Sequence, residues 1–241
     1  MVRVPAHTGF KPICVIAGAG PGLGAAIAER YSSEGFISYM LSRRPKRVAG
    51  AVAPLLARGL SVVPLKCDVR SAASVGNAID FIGRTGGGCD VVVFNAFVDS
   101  AKRAMSLGSE QLLSDFRVNV ASALSLVRLA VRHMRLKGTG TILFSGCGLA
   151  HAPSARKTSL SVSKAGLRAL VDCLAEELEP RGVRVGMVTI EGAVPVGAAR
   201  LASIADLYWH LFVDGRNVSK REVRWPKDAL PARSRSVSNT R

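Results

Sequence analysis

Three glycines, Gly18, Gly22 and Gly24, lie in the stretch VIAGAGPGLGAAIAERY, between an apolar run and a segment with helical spacing. A glycine turn in that position lets backbone N–H groups and the positive end of a helix face an anionic phosphate. The common dinucleotide spacing GxGxxG needs glycine at 18, 20 and 23, and residue 23 is leucine. The spacing that fits is GxxxGxG. Gly18 turns the chain, Gly22 lets the backbone approach a phosphate, and Gly24 packs helix on strand, with Leu23 part of the same cradle. A second apolar run ends in Ser42-Arg43-Arg44, followed by Lys46 and Arg47, and no Asp or Glu occurs between Gly35 and Cys67. An acid in that place bonds ribose hydroxyls, whereas arginine accommodates a 2′-phosphate, to which a guanidinium can bond bidentately. Arg43 first and Arg44 second are therefore candidates for selecting NADP(H). The competing readings are a glycine loop without a ligand and solvated charges on a basic surface.

Such residues need a frame, and the sequence supplies one in alternating segments. Strand-like runs occur at 13–18, 36–42, 60–66, 89–95, 141–145, 183–190 and 221–225. Helical spacing covers 22–35, 46–58 (weakened by Gly50 and Pro54), 71–84, one long stretch at 109–136, 159–178 and 202–212. The run Val91-Val92-Val93-Phe94 reads as a parallel strand covered on both faces. Seven strands with intervening helices predict an α/β, Rossmann-type doubly wound, mostly parallel sheet with helices on both faces. The expected organisation is one domain over 1–225 and a basic, disordered tail over 226–241.

Composition narrows the partners. The 241 residues carry a net charge of +16, which invites nucleic acid or an anionic membrane. The bases are scattered, aromatics are 5%, and seven of the Lys/Arg fall in 220–241 against two acids. No zinc-finger or base-stacking pattern accompanies them, so neither nucleic acid nor membrane is predicted as a partner. Five cysteines, mostly in apolar runs and with no CxxC, suit buried thiols in a reducing compartment and no metal. The N-terminus lacks a charged-then-apolar leader, and the longest uncharged stretch, 138–155, is broken by four glycines and Pro153. A cytoplasmic location is the expectation.

The GxxxGxG turn is similar to that of the short-chain dehydrogenase/reductase family, and the similarity continues to about residue 225. Cys67-Asp68-Val69 resembles its Asp-Val pair, whose carboxylate contacts adenine. Phe94-Asn95-Ala96-Phe97 resembles its Asn-Asn-Ala-Gly, retaining Asn95 and Ala96. Asn119 in RVNVASAL matches the family's helix asparagine, and Lys164 in SVSKAGLRAL matches its active-site lysine. Glu191-Gly192-Ala193-Val194-Pro195-Val196 stands where the family has Pro-Gly-x-Val-x-Thr around the nicotinamide, retaining Gly192 and Val194. GTILFSG, KAGLRAL, the IEGA turn and YWHL further resemble a divergent branch of the family that tends to lack its tyrosine. The resemblance implies a small-molecule carbonyl or alcohol substrate, and a homodimer or homotetramer built on the helices near 109–136 and 159–178.

It also exposes a departure. The family's proton donor is a tyrosine four residues before the lysine, and here that residue is Leu160. Its serine position falls on Cys147, a weaker hydrogen-bond donor, with Ser145 two residues earlier. Asn119, Cys147 and Lys164 are thus the catalytic candidates, and Lys164 also has a role at the nicotinamide ribose. Ser159, Ser161 and Ser163 are badly directed to replace the tyrosine on a helix. His151 is expected as a solvated loop residue and Tyr208 as packing beside Trp209. Two outcomes follow: an NADP(H)-dependent oxidoreductase with an atypical site, slow for want of its acid, or a non-catalytic NADP(H)-binding sensor or assembly protein.

Overall fold

The computed structural model describes residues 11–135, 138–194, 197–214 and 221–228. Seven strands form one sheet: β1 Ile13–Ala17, β2 Ile37–Ser42, β3 Val62–Lys66, β4 Val91–Phe94, β5 Gly140–Cys147, β6 Val183–Ile190 and β7 Glu222–Trp225. Their order is β3-β2-β1-β4-β5-β6-β7, and each described pairing is parallel. The run of four apolar residues in β4 is buried throughout, as expected for a strand covered on both faces. Pro64 is tolerated because β3 is the sheet's edge, where a missing N–H breaks no ladder.

One face of the sheet carries α3 Ala72–Gly86, α4 Ser109–Phe116, α5 Ser122–Arg135 and α6 Thr158–Leu178; α3, α5 and α6 contribute Ile79, Ile82, Leu126 and Leu167 to one core, and Phe116 of α4 packs against it. The other carries α1 Leu23–Ser32, α2 Pro45–Ala57 and α7 Ala198–Val213. There Tyr31, Phe36 and Trp209 meet edge to face, with centroids 5.3–5.8 Å apart. The α2 helix forms despite Gly50 and Pro54, because Val48, Val52 and Leu55 share one buried face and Pro45 sits in its first turn.

One expectation needs correction. The predicted helix over 109–136 is two helices joined by a π turn at Arg117–Ala121. Of the expected tail, residues 226–228 are described, with Asp228 accepting from the Arg224 amide at 2.8 Å. The rest of that tail, 229–241, lies outside the described residues, as do 195 and 196 of the segment compared with the nicotinamide-binding turn. No helix among the described residues is long and apolar enough to cross a membrane.

Candidate active site

The strand order reverses between β1 and β4, and the crevice at such a reversal is where open α/β sheets hold ligands. Gly18 sits at that point with φ +80°, a left-handed conformation that glycine adopts without strain. A Cβ there would stand 2.3 Å from the Ala96 Cα, so the turns after β1 and β4 close on each other only with glycine. Gly24 is equally committed: a Cβ would lie 2.9 Å from the Ala19 Cα. Nothing stands within 4 Å of a Cβ at Gly20 or Gly22, so the outer side of the turn is open.

A cleft of about 1660 Å³ runs from this turn across the C-terminal ends of the strands. It gathers Gly18, Leu23, Gly24, Arg43, Arg44, Asp68, Val69, Asn95, Ala96, Cys147, Lys164, Gly192 and Val194. These residues span most of the sequence and meet because each follows a parallel strand or opens the helix after it. Gly22 and Asn119 are not in the lining. Gly22 instead opens α1, its carbonyl accepting from Ala25 and Ala26 at 3.0 and 3.1 Å.

Asn119 lies wholly buried in the π turn. Its Oδ1 accepts from the Val98 amide at 2.8 Å and its Nδ2 donates to the Val98 carbonyl at 3.0 Å. With both ends of the amide occupied, Asn119 fixes the loop after β4 from behind and touches no ligand space. The π turn aims it there, one extra residue rotating the side chain off the face it would hold in a regular helix.

Lys164 projects from α6 and is buried, its Nζ donating to the Ser145 carbonyl at 2.8 Å. Burial pulls it from 10.5 down to about 8, opposed in part by the Cys147 thiol. The Phe97 ring centroid lies 5.7 Å from the ammonium. One turn earlier Leu160 lines the same wall and is 5% exposed, an apolar surface with no proton to give. Cys147 is half-buried at the end of β5. Cys14, Cys67 and Cys89 are buried as expected, whereas Cys173 is exposed.

Beneath the cleft a chain of hydrogen bonds runs in one direction. Asn95 Nδ2 donates to the Gly18 carbonyl at 3.1 Å, leaving its Oδ1 to accept from Ser145 Oγ at 2.8 Å. Ser145 has then spent its proton, so the Tyr208 hydroxyl, 2.7 Å away, is the donor to it. Tyr208 is fully buried, and burial pushes its phenol above the usual range. It is therefore a tie between α7 and the glycine turn as well as the packing residue expected beside Trp209.

Asp68 lines the cleft with its carboxylate already paired. Arg70 grips its carboxylate with Nε at 3.0 Å and Nη2 at 2.6 Å, which with Arg43 nearby holds it below the ordinary carboxylate range. His151 is not simply solvated: its Nε2 lies 2.9 Å from Glu222, and Arg224 rests against the ring at 3.0 Å. Burial would raise Glu222, but bonds from Thr189, His151 and Arg168 hold it low. Asp115 is 3% exposed and bonded by Ser100, Ser159 and Gln111 at 2.6, 2.7 and 2.9 Å. Burial pushes it up and these donors prevail, leaving it below the ordinary range. No spacing in the sequence announced this cluster, whose members come from three segments.

The sequence profile described as short chain dehydrogenase matches residues 12–196. The chain belongs to the short-chain dehydrogenase family. Tropinone reductase-like 3 of Erythroxylum coca is 32% identical over 188 residues, covering 78% of this chain and 71% of its own. The 3-oxoacyl-[acyl-carrier-protein] reductase of Buchnera aphidicola is 27% identical over 178 residues, covering 74% and 72%. Among solved structures, a metagenomic short-chain oxidoreductase in complex with NADP superposes with a TM-score of 0.80 at 24% identity, covering 88% of this chain and 96% of its own. A Mycobacterium smegmatis short chain dehydrogenase gives 0.79 at 25% identity, covering 90% and 93%. Membership in this family makes the chain an oxidoreductase by type.

Proposed function

We propose that this chain uses NADP(H) to interconvert a carbonyl and an alcohol on a small molecule, through a site without the family's phenolic acid. One observation carries the cofactor choice: the glycine turn opens onto Arg43, Arg44 and Arg47, with no carboxylate paired to any of them among the described residues. Three guanidiniums without a salt-bridged carboxylate beside a phosphate cradle suit a 2′-phosphate, and they offer the ribose hydroxyls of NADH no acceptor. The cradle fits a dinucleotide sterically as well, its outer side being open where Gly20 and Gly22 carry no side chain.

A bound nicotinamide supplies or takes up the hydride. What the protein adds follows from its own residues. Lys164, anchored to the Ser145 carbonyl, places a positive charge at the cleft wall. Such a charge stabilises a developing alkoxide and suits a ribose hydroxyl. Cys147 offers a weak hydrogen bond to a substrate oxygen. Asn119 keeps the loop that carries Ala96 and Phe97 in place. Leu160 donates nothing, so the proton comes from water or another side chain, and the reaction is slow.

The same leucine favours a second reading, a non-catalytic NADP(H)-binding sensor or assembly protein. Self-association is part of both readings, and Leu113, Leu124 and Val162 are exposed on the helices expected to pair.

A titration followed by nicotinamide fluorescence tests the cofactor. NADPH is expected to bind at least about tenfold more tightly than NADH, and Arg43→Ala to erase most of that difference. Equal affinities, or no binding of either, would overturn the assignment.

A further inference from the structure

Away from the glycine turn the cleft is walled by the loop after β4 and the segment between β5 and α6. Its floor is apolar: Phe97, Leu149, Ala152, Leu160 and Val194 all face the space. Its rim is charged, and the acids there already have partners. Asp99 pairs with Lys157 at 2.9 Å and accepts from the Ala101 amide. Asp115 is held from beneath by its three donors, and Glu191 lies 3.5 Å from Arg224.

Arg156 differs. It lines the cleft, and its exposed side chain has no hydrogen-bond or salt-bridge partner among the described residues, while its backbone amide donates to Ser154 Oγ. Lys157 beside it has one partner, and its side chain remains 49% exposed. The pair stands directly before the 21-residue helix α6, whose first turn contains no acid. The positive end of that helix adds to the field of the two side chains at the rim.

A cation that finds no carboxylate in a cleft containing several is available to one brought by a ligand. We propose that the substrate carries an anionic group, a carboxylate or a phosphate, which Arg156 binds at the rim with Lys157 beside it. The carbonyl-bearing part then lies along the apolar floor toward Cys147 and Lys164. An arginine placed there bonds either oxyanion bidentately, and the apolar floor rewards a substrate whose other end is hydrocarbon. The inference deepens the oxidoreductase reading and rests on it for the direction of the carbonyl, but not for the anion contact itself.

The test is calorimetric binding of three matched ketones: acetoacetate, acetoacetyl-CoA and ethyl acetoacetate. Each is titrated into the full chain, with and without saturating NADPH, for wild type, Arg156→Gln and Arg156→Lys. Saturation with NADPH keeps acetoacetyl-CoA out of the nucleotide site. The expected result is binding of at least one anionic ketone, weakened about tenfold by Arg156→Gln, weakened less by Arg156→Lys, which keeps the charge but loses the bidentate geometry, and reduced by added salt. Acetoacetate alone identifies a small carboxylate, and acetoacetyl-CoA alone identifies a phosphate-bearing carrier. An ester that binds as well as the anions, no binding by any of the three, or indifference to Arg156→Gln overturns the proposal. Failure of NADPH to bind while an anion binds through Arg156 would instead remove the cofactor reading and leave this one standing.

Discussion

A leucine one helical turn before a buried lysine changes what that lysine can accomplish. In Lys164 the protein keeps a cation whose burial lowers its proton affinity, yet the neighbouring position that could donate to an alkoxide is hydrocarbon. Because Leu160 lines the cleft, a larger side chain there grows into open space and not into the core. Leu160→Tyr is accordingly expected to raise the rate of carbonyl reduction by about 10²–10⁴, with NADPH affinity unchanged. Single-turnover oxidation of NADPH against a ketone panel measures it. No gain would mean the rest of the site is not arranged for reduction. The leucine, the lysine and their spacing were all legible in the sequence. Asn119 was legible as a residue but not as a role, because only the structure reveals that Val98 takes up both ends of its amide.

Elements position these residues through close approaches that a sequence marks only with glycine. Gly18 joins two turns, and its φ of +80° and the 2.3 Å that a Cβ would leave to Ala96 act together. Gly18→Ala is expected to cost at least about 2 kcal/mol, from left-handed backbone strain and from prising apart the β1 and β4 turns. Urea unfolding measures that cost, and NADPH affinity should fall in the same variant, because the cradle is built on that contact. An unchanged midpoint would mean the two turns are not packed as described. The glycine spacing announced this element, and the apolar run of β4 announced its neighbour. The π turn at Arg117–Ala121 had no such signal: the apolar spacing through it stays helical, and the turn is held by bonds from Asn119 to a loop 21 residues earlier. The same holds for Tyr208, whose partner Ser145 lies 63 positions away. Its neighbour Trp209 gave it away as a core residue, and nothing local gave away its hydroxyl.

At the scale of the molecule the parallel, doubly wound sheet was readable because strands alternating with helices leave few ways to build one, whereas the strand order came from the structure. The same burial that makes the sheet's centre stable sets a cost on Lys164, and that cost has a sign that can be measured. The unfolded chain holds the lysine proton up to 10.5, the folded protein only up to about 8. Between those values the unfolded state binds more protons, so stability rises with pH as the buried group is allowed to be neutral. Below about 8 the penalty is fully present, on the order of 3 kcal/mol for a shift of this size. Lys164→Met keeps the length of the side chain and removes the ionisation, along with the bond to the Ser145 carbonyl. The lost bond contributes an offset that does not vary with pH, whereas the ionisation contributes a slope. Wild-type stability minus that of Lys164→Met is therefore expected to climb by roughly 3 kcal/mol between neutral pH and 10.5, almost all of it above 8. Chemical denaturation of both proteins across that range gives the difference directly, and titrations not coupled to Lys164 cancel, Cys147 being the coupled group. A flat difference would mean that Lys164 keeps its ordinary proton affinity in the folded protein, hydrated from the cleft despite its burial. Its charge at the cleft wall would then be constant throughout the range in which the protein is assayed.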